Sequence, residues 1–144
     1  MVKTSSPHGV FTKFVLDPIP SSVSDIKVDK PWELSGHRYV MHFKISKTDL
    51  ELILNSKPFK EMMDIEYKNG RLRWHESPSH AESLGLYRPY DGQPGPVWFR
   101  PDKFEDPRVY TLVERSLRNR DHMQVLIYDE NVPEAYFVEY QEGY

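Results

Sequence analysis

The chain has 144 residues, a net charge of −3 from 22 acidic and 19 basic side chains, and no cysteine. That length suits a single domain with one core. The lack of cysteine excludes disulfides, thiolate metal sites and a cysteine nucleophile, and the evenly mixed charge gives no electrostatic footprint for nucleic acid.

Residues 1–9 are polar and aperiodic and read as a flexible tail ahead of a domain spanning 10–144. Phe11, Phe14 and Val15 then fall at helical spacing, and Pro18 closes the segment. Val23 to Val28 reads as a strand with Ile26 and Val28 on one face. His37 to Ile45 alternates more clearly, with His37, Tyr39, Met41, Phe43 and Ile45 on an inward face. Arg38, Val40, His42 and Lys44 would lie on a wet one. Ser46 opens a helix: it can cap, Asp49 follows three residues later, Leu50, Ile53 and Leu54 form an apolar stripe, and Pro58 bars continuation.

Asp64–Tyr67 and Arg71–His75 flank Asn69-Gly70, a strong hairpin signal. Residues 76–101 form a long loop rich in proline, glycine and aromatic rings, and such loops are often functional. Asp106-Pro107 reads as a helix start, with Val109, Leu112, Val113 and Leu117 as its stripe and a basic patch of Arg108, Arg115, Arg118 and Arg120 around its end. Two strands close the chain, Gln124 to Tyr128 and Ala135 to Tyr140, around a polar segment with Asn131 and Pro133. The first is apolar on both faces and reads as central. The second carries more polar residues and reads as nearer an edge. This non-alternating order predicts one α+β domain, a mostly antiparallel sheet with two or three helices. One face of the sheet would carry a helix and the other something aromatic.

Chemistry is less legible. His75, Glu76, His80 and Glu82 offer metal-ligand types within eight residues, but Pro78 breaks helical spacing and a solvated turn is the plainer reading. His37 has no orienting partner in view, His42 sits with Arg38 and Lys44 in what looks like a solvated basic stripe, and Asp121-His122 reads as a turn. There is no G-x-S-x-G, G-x-G-x-x-G or Walker loop. No catalytic residue, cofactor or metal ligand is assigned.

The aromatic loop is the best candidate: Tyr87, Arg88, Tyr90, Trp98, Phe99 and Arg100 are the residue types enriched in binding hot spots. The competing reading makes Trp98 and Phe99 core plugs. The expectation is a non-enzymatic protein- or peptide-binding domain. A metal-dependent or hydrolase-like enzyme using His75 and His80 is the alternative, and a nucleic-acid-binding domain is a second.

Pro18 through Ile26, the strand 37–45, the helix opening Ser46-Lys-Thr-Asp-Leu50, Trp98-Phe-Arg-Pro101, Tyr128-Asp129 and Ala135-Tyr136-Phe137 occur in an order that resembles small bacterial exported proteins and lipoproteins of unknown function. The resemblance spans about residues 11–140 and rests on short motifs. It implies an α+β domain outside the cytoplasm, tethered through a lipidated N-terminal cysteine, and it brings no catalytic residues. The chain shows no such cysteine, no signal peptide and no apolar run near the roughly 20 residues of a transmembrane helix. The expected location is therefore the periplasm or cell envelope if an export signal was removed, and the cytoplasm otherwise.

Overall fold

The computed structural model describes residues 6–31, 37–62, 65–68, 71–74, 95–115 and 121–141. Among the described residues, eight strands and two α-helices follow in the order α1 (Pro7–Phe14), β1 (Ser24–Asp29), β2 (His37–Lys44), α2 (Lys47–Ser56), β3 (Lys60–Met62), β4 (Ile65–Lys68), β5 (Arg71–Trp74), β6 (Pro107–Arg115), β7 (Asp121–Asp129) and β8 (Val132–Gln141). Six strands form one antiparallel sheet in the order β1-β2-β8-β7-β6-β3, and β4 and β5 pair separately, from Ile65↔Trp74 to Lys68↔Arg71; the expected Asn69-Gly70 turn lies outside the described residues. The domain is α+β. Among the described residues no helix is long and apolar enough to cross a membrane.

The helix α1 begins at Pro7, inside the stretch expected to be a loose tail. Ser6 is the reason: its Oγ accepts from the Gly9 N–H at 3.0 Å, and Pro7 takes the first helical position, where its missing N–H costs nothing. Val10, Phe11 and Phe14 turn inward. The start of α2 follows its sequence signal. Ser46 Oγ accepts from the Asp49 N–H at 3.2 Å, and the Asp49 carboxylate accepts from the Ser22 N–H at 3.0 Å. Hydrogen bonding from the Ser22 side chain and then from its backbone N–H holds the Asp49 carboxyl below its ordinary range. Replacing Ser46 by alanine is expected to cost about 0.5–2 kcal/mol. A thermal melt of Ser46→Ala that overlays the parent would remove the cap from this account.

Three strand expectations are corrected. The segment 107–115 is strand β6, not a helix, paired with β7 over its whole length from Pro107↔Asp129 to Arg115↔Asp121. Val109, Leu112 and Val113 fit a helical stripe, but β-branched Val109, Thr111 and Val113 beside Tyr110 favour an extended chain. Val109 and Thr111 are buried on one face and Leu112 on the other, so both faces of the strand are covered. With no helix there, no basic patch gathers at a helix end. Arg108 instead pairs with Glu61 at 3.2 Å and Glu130 at 3.4 Å, and the side chains of Arg115, Arg118 and Arg120 lie outside the described residues.

The strand β8 is central rather than near an edge, flanked by β2 and β7, and Ala135 through Tyr140 are buried without a break. β2 has no wet face either: Arg38, Val40 and His42 are buried along with Met41 and Phe43. Its inward face also differs at its start, since His37 is exposed and Tyr39 half-buried. Edge strand β1 carries a bulge between Ser24 and Lys27, with Asp25 at φ 54°, an irregularity of the kind that blunts further strand pairing.

Both faces of the sheet are covered. On one, α1 and α2 pack Val10, Phe11, Phe14, Leu50 and Ile53 against Met41, Phe43, Leu126 and Phe137. On the other, Phe104 and Phe99 cover Val109, Val125, Ile127, Tyr136 and Val138. An aromatic cover of the second face is therefore present, with Phe99 from the described end of the 76–101 loop and Phe104 from beyond it.

Candidate functional site

The aromatic cover does not seal the second face, and a cleft of about 260 Å³ opens beside it. Its lining is His42 from β2; Val132, Glu134 and Tyr136 from β8; and Trp98, Arg100, Lys103 and Phe104 from the covering segment. The floor follows from sheet register. His42 lies directly across from Tyr136 in the β2–β8 ladder, which brings their rings to 4.7 Å between centroids.

Tyr136 is the anchor of the covering segment. Its hydroxyl donates to the Trp98 carbonyl and accepts from the Arg100 N–H, both at 3.2 Å. Phe99 and Phe104 each stand 5.4 Å from its ring, Phe99 edge-on. A turn (Phe99 N–H to the Pro96 carbonyl, 3.0 Å) leads into the anchor, and a short 3-10 helix (Pro101–Lys103) leads out. Proline at the first position fixes φ for that turn.

Trp98 lies 6.4 Å from the His42 ring, tilted 31°, so the cleft wall is a run of three rings: Trp98, His42 and Tyr136. The His42 imidazole is held below its ordinary pKa mainly by burial, against the opposing pull of Glu134. It is therefore neutral at pH 7. Its Nε2 is 3.7 Å from Glu134 Oε1. The arrangement brings aromatic rings, two cations and one carboxylate to one cleft.

Of the six residues singled out from sequence, Trp98 and Arg100 line the cleft and Phe99 packs behind it on Tyr136. Tyr87, Arg88 and Tyr90 lie outside the described residues, as do His75, Glu76, His80 and Glu82. His42 is not part of a solvated stripe; it forms the buried floor. Sequence reading missed His42, Lys103, Glu134 and Tyr136 as members of one site. The alternation of β2 and β8 sets His42 and Tyr136 on fixed faces, but only the β2–β8 pairing puts those faces together.

A second polar group lies under the helices. Its centre is Glu139, fully buried on β8. Gln124 Nε2 donates to Glu139 at 2.7 Å and to the Phe14 carbonyl at 2.9 Å. Lys57 Nζ donates to the same carbonyl at 2.7 Å and to Gln124 Oε1 at 3.2 Å. His122 sits in β7, not in a turn, and pairs through Nε2 with Glu139 and through Nδ1 with Glu114 at 3.3 Å. Both ring nitrogens face carboxylates. Among the described residues no group of His, Asp and Glu is placed to hold a metal ion.

The two histidines are shifted in opposite directions. The bond to Glu139 raises His122, while burial lowers His42. Histidine ring resonances followed by NMR against pH should show His122 titrating above the ordinary 6.5 and His42 below it. The stability linked to His122 is complete below its unfolded pKa and is lost as pH rises through the raised value. That linked to His42 is present above 6.5 and is lost as pH falls through the lowered one. Titration of both rings together near 6.5 would contradict these surroundings.

No family model, no curated protein and no solved structure matches the chain. None of these comparisons bears on the resemblance to small exported proteins and lipoproteins.

Proposed function

We propose that this domain is a non-enzymatic binding module that holds a segment of a protein or peptide in the cleft between Trp98 and β8. The observation that carries this reading is the size and openness of a cleft walled by Trp98, His42 and Tyr136. Sites that engulf a small molecule run to roughly 300–1,000 Å³ and enclose most of it. A shallower recess of about 260 Å³ is matched to one or two side chains of a larger ligand. Tryptophan and arginine at its wall are the side chains that most often dominate such contacts. Val97, 91% exposed beside Trp98, extends apolar surface from the rim.

The alternative of a nucleic-acid interface is weakened by Glu134 inside the cleft and by Arg108, whose guanidinium is taken up by Glu61 and Glu130. The catalytic alternative rests on His75 and His80, which lie outside the described residues.

Short synthetic peptides titrated into labelled protein should shift the backbone resonances of residues 98–104, His42, Glu134 and Tyr136. Trp98→Ala should weaken the bound peptides at least about thirtyfold, the effect of losing a hot spot of roughly 2 kcal/mol. It should barely move the melting temperature, because Tyr136 holds the Trp98 carbonyl and not its ring. A large loss of stability with peptide shifts unchanged would make the ring structural and end this reading.

A further inference from the structure

The floor of the cleft holds an imidazole with one unmatched nitrogen. The His42 ring is buried, and its Nδ1 meets no hydrogen-bond partner among the described residues. The other nitrogen, Nε2, faces Glu134 Oε1 at 3.7 Å, which places the proton of the neutral ring on Nε2. The neutral ring therefore leaves only a lone pair unmet at Nδ1. Protonation turns Nδ1 into a buried N–H donor without an acceptor, on a ring that now carries charge, and such a donor bears its full desolvation cost. The charged groups around the ring do not supply the acceptor. Across the β1–β2 ladder His42 pairs with Lys27, which is bonded to Asp25 at 3.1 Å. Lys44 follows on the same face of β2. Glu134 and the Tyr136 phenol face the ring from β8, and Arg100 and Lys103 line the cleft from the covering segment.

We propose that protonation of His42 turns the Trp98 ring off the cleft wall and lets water reach Nδ1, and that the domain thereby releases bound peptide in acid; the second half rests on the peptide-binding reading above. The choice of Trp98 follows from what holds each neighbour. Strands β1 and β8 grip β2 by ladders on both sides, so the neighbours within the sheet are fixed. The covering segment is held to Tyr136 through the Trp98 carbonyl and the Arg100 N–H. The Trp98 side chain is half-buried and takes no part in those bonds, so it can change rotamer without unseating the segment. Cation–π attraction keeps Tyr136 beside the charged ring at 4.7 Å, whereas Trp98 at 6.4 Å lies past the reach of about 6 Å. Burial sets the direction: it holds His42 below its ordinary value. The wall is therefore intact at neutral pH and opens as pH falls through the lowered value.

The test uses the full chain. Histidine ring and tryptophan indole resonances are followed by NMR from about pH 7.5 down to about 4.5, where glutamates begin to protonate. Affinity for the short synthetic peptides is measured over the same range. The Trp98 indole N–H, identified with Trp98→Phe, should move with the midpoint of His42. One pH unit below that midpoint about a tenth of the rings stay neutral, so the peptides should bind about tenfold more weakly than one unit above it. His42→Phe keeps a ring that takes no charge. Its Trp98 signal and its peptide affinity, whatever their values, should no longer change across that range. His42→Gln replaces it if the phenylalanine variant does not fold. A His42 ring that stays neutral throughout, a Trp98 signal indifferent to the His42 titration, or pH dependence that survives in His42→Phe would overturn the proposal. Trp98 moving with His42 while no peptide binds at any pH would support the moving wall and end the peptide-binding reading.

Discussion

Glu139→Ala is expected to destabilise the domain by about 3 kcal/mol, the low end of the 3–5 kcal/mol that follows removal of one member of a buried charged pair. The low end applies because His122 keeps 30% of its side chain exposed and can recover water. Gln124 cannot, being buried, and its amide would lose one of two acceptors. For a chain of this length the change corresponds to a fall in melting temperature on the order of 10 °C. Glu139→Gln, which keeps an acceptor facing Gln124, should cost less, about 1–2 kcal/mol.

Loss of Glu139 also removes the first cause of the raised His122 pKa. His122 should then titrate closer to 6.5, and the decline in stability that the parent shows as pH rises through the raised value should flatten. The difference between parent and variant therefore narrows toward alkaline pH. A melting curve within about 3 °C of the parent at neutral pH would mean that the carboxylate contributes little.

The second large effect is at the face between α1 and the sheet. Phe11 is fully buried and meets Phe43 edge-on, with ring centroids 5.0 Å apart. Phe11→Ala should cost about 3–5 kcal/mol through lost burial and the space left behind. The helix has only 8 residues, far below the roughly 12–15 at which isolated helices become even marginal in water. It persists only by docking, through Val10, Phe11 and Phe14 and through the Phe14 carbonyl, which accepts from Lys57 and Gln124. Guanidinium unfolding should show the loss as a lower midpoint, and hydrogen exchange should show α1 amides losing protection first. Leu52→Ala on α2, 53% exposed, is the control and should stay within about 0.5 kcal/mol. Equal effects at Phe11 and Leu52 would contradict the packing described.

Local signals were the legible part of this chain. The Ser46 cap and its stripe, the extended run of β2, the pairing of β4 with β5 and the closing pair β7–β8 are all written within a few residues. What stayed illegible depends on partners far away in sequence. Glu139 made β8 look like an edge strand because nothing nearby reveals that Gln124 and His122 satisfy it. Arg38 and His42 made β2 look half wet; in the fold Arg38 lies over the Tyr140 ring at 5.3 Å and His42 under Tyr136. The strand β6 was misread because Val109, Leu112 and Val113 suit both a helical stripe and a strand buried on two faces. For the cleft, Trp98 and Arg100 stood out by residue type. His42, Glu134 and Tyr136 join them only through the β2–β8 ladder.

That ladder also orders events during synthesis. Met41 pairs with Phe137 and Val40 with Val138, so the side of β2 facing the middle of the sheet has no neighbour until residues 132–141 leave the ribosome. At ordinary elongation speeds of about 5–20 residues per second, that edge waits on the order of 5–20 s. The hairpin of β1 and β2 can form early, but the helices α1 and α2 have no complete surface to settle on before β8 arrives. Nascent chains stalled before Val132 should therefore be open to protease and engage chaperones, and completion of β8 should close the sheet and form the cleft beside Trp98 in one late step.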